Sequence, residues 1–172
     1  MRSSGLILLW LLLLVPSFAW AQSGVGQVEQ FQKLQEQQPV DTRFSQFYQQ
    51  LQSDPTNANT HLALGKAYLD KGLYEMAIIS FERALQFSPQ LAAAHYGLSK
   101  TYRKKKNKNW EVLELEKAVA TAPTNDQYIY ELGVLYMEPE SYDYDKAKKQ
   151  FKELKKQQSP LAIKLGQLME LE

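Results

Sequence analysis

The chain has 172 residues, of which 44% are hydrophobic and 23% are charged, so it carries enough apolar material for one packed domain. Its formal net charge of +1 offers no electrostatic basis for nucleic-acid binding, and that class of partner is excluded. The absence of cysteine rules out disulfides, thiolate metal sites and cysteine nucleophiles.

The N-terminus has the three parts of a secretory signal peptide. Arg2 supplies the positive charge, and residues 6–15 form an apolar run without a charge. Ala19-Trp20-Ala21 then provides an A-x-A site, which predicts cleavage of residues 1–21 just before Gln22. The apolar run is shorter than the roughly 20 residues of a membrane-spanning helix. We therefore expect an exported protein of the bacterial periplasm, with an uncleaved signal anchor as the alternative.

Two short segments separate the signal peptide from the rest of the chain. Residues 22–40 are rich in glutamine and are predicted to be a flexible linker, with a short coiled-coil stub as the alternative. Residues 41–57 are predicted to form a single helix, a half-repeat at the N-terminal end. Its apolar side chains share one helical face: Phe44, Phe47, Tyr48 and Leu51.

A repeat of 34 residues follows, marked by Pro55, Pro89 and Pro123. After each proline comes a similar helix start: His61-x-x-Leu64-Gly65-x-x-Tyr68, His95-x-x-Leu98-Ser99-x-x-Tyr102 and Ile129-x-x-Leu132-Gly133-x-x-Tyr136. The second halves of the repeats align as Ala77, Phe81, Ala84, Pro89; then Glu111, Leu115, Ala118, Pro123; then Ala147, Phe151, Leu154, Pro160. A longer loop shifts the third set by two to three residues.

This pattern resembles the tetratricopeptide repeat (TPR) family. The resemblance implies an all-α fold, a right-handed α-solenoid of antiparallel helix hairpins with about three units and flanking half-repeats. The units are predicted at residues 58–91, 92–125 and 126–160, and residues 161–172 are predicted to form a C-terminal capping helix. We expect Gly65 to allow close approach of the neighbouring helix because it lacks a Cβ, and Gly72 to follow the end of a helix.

The sequence contains no recognisable catalytic constellation, so we expect neither enzyme activity nor a cofactor. His61 and His95 occupy the same position in adjacent repeats, which favours packing roles over a metal pair because no third ligand is evident. A catalytic site formed only by the fold is the alternative.

The TPR resemblance also implies a binding surface, because the first helix of each unit lines a concave groove in that family. Carried over by position, the partner-binding residues are Leu62, Lys66, Tyr96, Lys100, Arg103 and Tyr130. An apolar row beside cations favours an extended protein or peptide with an acidic residue or a C-terminal carboxylate. Family members that clamp such carboxylates use asparagine and lysine at particular groove positions, and Lys66 at the ninth position departs from that pattern. A merely solvated basic surface is the alternative.

The densest charge is a basic turn, residues 103–108, with the sequence RKKKNK. Cations favour the C-terminus of a helix, and Asn107 is expected to take the left-handed conformation in this turn. The other interpretation is peripheral contact with an anionic membrane surface through Arg103, Lys104, Lys105, Lys106 and Lys108. Trp110, which follows directly, is interpreted as a core residue.

These observations predict a non-catalytic protein–protein interaction scaffold of the bacterial cell envelope that binds a partner segment in its groove. One alternative is a membrane-anchored accessory subunit of an envelope assembly that keeps its signal anchor. Another is self-assembly through the end helices.

Overall fold

The computed structural model describes residues 42–170, which belong to one compact unit. The predicted signal peptide and linker, at residues 1–40, lie outside the described residues. Every regular element between residues 42 and 170 is helical. Within this described range there are eight α-helices and one 3-10 turn at Pro139–Ser141. The helices are α1 (Thr42–Ser53), α2 (Ala58–Asp70), α3 (Tyr74–Phe87), α4 (Ala92–Lys104), α5 (Lys108–Thr121), α6 (Asp126–Leu135), α7 (Tyr144–Lys156) and α8 (Leu161–Leu168).

The helices pack as successive hairpins, in which α2 pairs with α3, α4 with α5 and α6 with α7. Each hairpin also contacts the next one along the chain, α1 packs on α2, and α8 packs on both α6 and α7. The predicted all-α solenoid of helix hairpins is thereby confirmed. We call α2, α4 and α6 the A helices and α3, α5 and α7 the B helices.

Side-chain caps and one glycine set several helix boundaries. Asn57 and Asn125 accept hydrogen bonds from backbone amides three residues ahead, at 3.0 and 3.1 Å, and so begin the A helices α2 and α6. Gly72, with a φ of 74°, follows α2 as expected. In the basic turn the expectation was wrong. Lys106 takes the left-handed conformation (φ 57°), whereas Asn107 has a φ of −99° and caps α5 by accepting a hydrogen bond from the Trp110 amide.

The joint between the first two hairpins is built around the ring of Phe81, which is fully buried. A Cβ added to Gly65 on α2 would lie 2.6 Å from this ring, and one added to Gly97 on α4 would lie 2.5 Å from it. Two glycines on neighbouring A helices therefore create the space that one aromatic side chain fills. The prediction for Gly65 is confirmed, and Gly97 is a second contributor that the repeat alignment did not mark.

Two of the tyrosines that mark the A helices, Tyr68 and Tyr136, pack back against the preceding helix. Tyr68 stacks on Phe44 of α1, with ring centroids 4.8 Å apart, and shares a hydrogen bond with Tyr48. Tyr136 likewise donates to Glu116 of α5. The interval of 20 residues is the same in both hydrogen-bonded pairs, so this contact repeats with the fold.

Helix α5, the last hairpin and α8 share one apolar core. Its buried side chains include Leu115, Ile129, Leu132, Leu135, Leu154 and Leu165. Gly133 has the role of Gly65, because a Cβ there would lie 2.5 Å from a methyl group of Leu165. This core holds α6 against α5, α7 and α8, and α6 carries the candidate site together with the two earlier A helices.

Candidate partner-binding surface

The six residues predicted to bind a partner lie on the A helices, but they differ in exposure. Leu62 on α2 is buried, and Tyr96 on α4 and Tyr130 on α6 are half-buried. The three cations, Lys66, Lys100 and Arg103, are exposed. The aromatic part of the predicted row is therefore accessible through two tyrosines, while Leu62 contributes mainly to packing.

Tyr96 is held firmly between two A helices. Its hydroxyl donates to Glu131 Oε1 at 2.6 Å, and its ring stacks on Tyr128 with centroids 4.6 Å apart. Burial and the hydrogen bond to Glu131 raise the pKa of the Tyr96 hydroxyl well above its usual value. Gln127 also donates to Glu131 Oε1, at 2.9 Å, which orients the carboxylate. The result is an aromatic surface whose position is set before any partner arrives.

Lys100 lies over this aromatic surface, with its Nζ 5.4 Å from the centre of the Tyr96 ring. This is the geometry of a cation–π contact. In the described part of the chain, neither Lys66 nor Lys100 has an acidic side chain within ion-pair distance. Their charges are therefore available to an incoming carboxylate.

Arg103 differs from these two lysines because its charge is used inside the protein. Its Nε donates to Glu111 Oε1, and its terminal nitrogen lies 3.9 Å from Glu131 Oε2. Glu111 is buried, and its second oxygen lies 3.0 Å from Lys108 Nζ. Burial of an unpaired carboxylate is costly, and the contacts with Arg103 and Lys108 offset that cost for Glu111.

Glu111 has a structural role that the repeat alignment did not predict. It occupies the position of Ala77 in the preceding repeat, where the smaller side chain is fully buried. The charge pattern of the sequence could have indicated the ion pair of Glu111, since Lys108 stands three residues before it on the same helix.

The basic turn is largely neutralised by the same kind of pairing. Besides Arg103 and Lys108, Lys105 donates to Glu75 of α3, and this contact lowers the pKa of Glu75. Lys104 and Lys106 are exposed and have no such partner among the described residues. Membrane contact through this turn remains a prediction, and Lys104 and Lys106 are the two cations of the turn that could make it.

Trp110 is not a core residue, contrary to expectation. Its side chain is 46% exposed and stacks on Tyr102 with centroids 5.6 Å apart. The position equivalent to Trp110 in the first hairpin is Met76, which is buried. At the position of Trp110 the ring lies across Tyr102 instead.

Both histidines make structural contacts. The Nε2 atom of His61 lies 3.0 Å from the carbonyl oxygen of Pro55, and its ring stacks on Phe87. The Nδ1 atom of His95 lies 2.7 Å from Glu114 Oε2. Between residues 42 and 170 no group of three metal-ligating side chains comes together.

Beside the A-helix surface lies an open depression of about 780 Å³ between α1 and α2. It is lined almost entirely by neutral amide and hydroxyl side chains: Gln46, Gln49, Gln50, Ser53, Asn57, Asn59 and Thr60, with Ala63. Such groups both donate and accept hydrogen bonds, which suits the backbone of an extended peptide.

The described helices include none that is both long enough and apolar enough to cross a bilayer.

Comparison with known proteins agrees with the geometry. The family profile described as "TPR repeat" matches residues 65–106. This match and the helix hairpins together support the fold of a tetratricopeptide-repeat protein. No curated protein matches its sequence.

Several solved TPR structures have the same arrangement of hairpins. One structure of MamA has a TM-score of 0.58 at 28% identity, covering 72% of this chain and 66% of MamA. MamA from Desulfovibrio magneticus RS-1 gives 0.55 at 20% identity, covering 65% of this chain and 62% of that one. TTC0263, a thermophilic TPR protein of Thermus thermophilus, gives 0.54 at 19% identity, with 72% and 71% covered. The chain thus spans somewhat less than two thirds of some MamA chains it matches.

Proposed function

We propose that this protein is a non-catalytic scaffold that binds a segment of another protein along its A helices. The observation that carries the proposal is the Tyr96 platform, held by Glu131 and Tyr128 and covered by Lys100. A side chain held in place loses little conformational entropy on binding, so it contributes affinity efficiently.

The chemistry of the surface favours a segment with an acidic residue or a free C-terminal carboxylate. Lys66 and Lys100 offer charges that no residue of the described chain neutralises, whereas the charge of Arg103 is already compensated by Glu111. An exposed ion pair contributes only about 0–1 kcal/mol, so the aromatic platform supplies most of the affinity and the lysines orient the segment. The amide-lined depression beside α2 would receive the peptide backbone.

The N-terminal sequence supports a location in the cell envelope, where the mature chain would act after cleavage near Gln22. N-terminal sequencing of the protein purified from cells tests this location. A mature start at Gln22 agrees with release into the periplasm, whereas an intact Met1 supports the alternative of an anchored accessory subunit.

Peptide selection tests the binding proposal directly. The full chain selects ligands from a library of random peptides displayed with free C-termini, and one enriched peptide is measured by fluorescence anisotropy. We expect Tyr96→Ala and the double variant Lys66→Glu/Lys100→Glu each to weaken binding at least about tenfold, since both remove contacts at the centre of the site. Amidating the peptide C-terminus should also weaken binding to the unmodified protein.

A double variant on another surface serves as the control. Lys148→Glu/Lys149→Glu changes the net charge equally, and both residues are exposed on the B helix α7. If this control weakens binding as much as Lys66→Glu/Lys100→Glu, the effect is one of overall charge and the proposed site is wrong. Unchanged affinity in Tyr96→Ala would also contradict it.

A further inference from the structure

The third B helix, α7, has a composition unlike that of the other two. It carries six lysines against two acidic residues, a net charge of +4 within 13 residues. The helices α3 and α5 each have a net charge of −1 over 14 residues. All three occupy the same place in the repeat, so the fold itself does not require lysines there.

The lysines of α7 cover the side of the helix that faces solvent. Ala147, Gln150 and Leu154 point into the protein and are buried, whereas the intervening lysines are exposed. We call Lys148, Lys149, Lys152, Lys155 and Lys156 the α7 lysine face.

Most of the charge on this face is uncompensated. Lys156 lies 3.9 Å from Glu153, and Lys155 lies over the ring of Phe151. For Lys148, Lys149 and Lys152, no acidic side chain between residues 42 and 170 is within ion-pair distance. This contrasts with the basic turn, where Arg103 and Lys108 pair with Glu111.

We propose that the α7 lysine face binds the anionic headgroups of a phospholipid membrane. Clusters of four to eight basic residues on an amphipathic helix attract anionic lipid, with each lysine adding to the attraction. The adjacent helix α8 exposes two apolar side chains, Ile163 at 68% and Leu168 at 53%, which can enter the interface between headgroups and acyl chains.

An acidic protein is the less favoured partner for this face. Protein interfaces depend on anchors such as tryptophan, tyrosine and arginine, which combine large contact area with defined geometry. The α7 lysine face has only lysines, whose flexible side chains carry compact charges and suit a fluid layer of headgroups.

Vesicle sedimentation tests the proposal with the full chain, so that the N-terminal apolar segment is the same in every variant. Vesicles of phosphatidylcholine alone are compared with vesicles of phosphatidylcholine and phosphatidylglycerol in equal parts. We expect stronger binding to the anionic vesicles, and a loss on the order of a hundredfold in Lys148→Glu/Lys149→Glu/Lys152→Glu. High salt should reduce binding by the unmodified protein as well.

A charge-matched variant makes the result specific to α7. Lys66→Glu/Lys71→Glu/Lys100→Glu changes the net charge equally at exposed positions on α2, just after it and on α4, outside both α7 and the basic turn. We expect this variant to bind anionic vesicles at least about tenfold better than the α7 variant. Equal losses in both variants, or equal binding to the two kinds of vesicle, would overturn the proposal. So would capture of poly-glutamate, but not of anionic vesicles, through the α7 lysines.

Circular dichroism checks that each variant keeps its helical content. The result also stays separate from the proposed peptide-binding function, because the α7 variant leaves Tyr96 and Lys100 untouched.

Discussion

At the same position of the repeat, the first hairpin buries an apolar side chain and the second buries a charged one. Where the first buries Ala77 beside Phe81, the second buries Glu111 and holds its carboxylate between Arg103 and Lys108. The apolar joint depends on the shape of one ring fitted between two glycines. The charged joint depends on pairing, and it connects through Arg103 to Glu131 and so to Tyr96. In the second hairpin, the ion pairs that stabilise the fold therefore also connect to the binding surface at Tyr96. In the first hairpin, the packing that stabilises the fold is separate from that surface.

The largest expected effect comes from removing the ring at the apolar joint. Phe81→Ala should lower the free energy of unfolding by about 3–5 kcal/mol, because the cavity lies between two helices that cannot collapse freely. Chemical denaturation measures the loss. Phe87→Ala, at a largely exposed site on the same helix, should cost much less. Equal losses would show that Phe81 has no special place in the joint.

Filling the space of Gly97 tests the same joint from the other side. Gly97→Ala places a methyl group within 2.5 Å of the Phe81 ring, and we expect a cost of about 1–3 kcal/mol from overpacking. In a double-mutant cycle, Phe81→Leu should relieve part of that cost by shortening the opposing side chain. Strict additivity of the two changes would contradict the contact.

The charged joint should be asymmetric in its response to substitution. Arg103→Met leaves Glu111 buried with a single partner, and we expect a loss of about 2 kcal/mol. Glu111→Ala introduces the residue found at the equivalent position 77, and it leaves two cations that can still reach water, so it should cost less. Chemical denaturation of both variants shows which one loses more stability. A larger loss in Glu111→Ala would show that Arg103 does not stabilise the protein by pairing with Glu111.

The smallest effect concerns the pH dependence of the Tyr96 contact. Because the pKa of Tyr96 is raised in the folded state, its contribution to stability is complete below the unfolded value of 10.0 and is lost as pH rises above it. Tyr96→Phe should cost about 0.5–1.5 kcal/mol at neutral pH and should reduce the fall in stability under alkaline conditions. The control is Tyr142→Phe, at an exposed site outside the network. If both variants lose as much stability at alkaline pH as the unmodified protein, Tyr96 does not contribute to that loss.

The repeat period predicted the hairpins and the role of Gly65, because those positions obey a fixed interval of 34 residues. It missed Gly97, which lies two residues before Ser99, the position that corresponds to Gly65 in the alignment. Glycines at different positions on a helix can make room for the same ring, and the repeat alignment marks only one of these positions. The prediction of the left-handed residue in the basic turn was wrong by one position for a related reason. The side chain of Asn107 caps α5, so Lys106 takes the left-handed conformation instead.

The candidate site was predictable in its location but not in its electrostatics. Position within the repeat placed Lys66, Lys100 and Arg103 on the A helices, where the structure has them. Which cations remain available depends on contacts between helices, such as that of Arg103 with Glu131 on the next A helix. Pairs of this kind join residues that no local pattern brings together.

Hydrogen–deuterium exchange with and without the selected peptide tests the central claim most directly. Binding along the A helices should slow exchange in α2, α4 and α6, with the strongest protection around Tyr96, and Lys66→Glu/Lys100→Glu should abolish the change at the same peptide concentration. Protection confined to α7 and α8, or protection of α4 that persists in that double variant, would contradict a peptide site at Tyr96 and its neighbouring lysines.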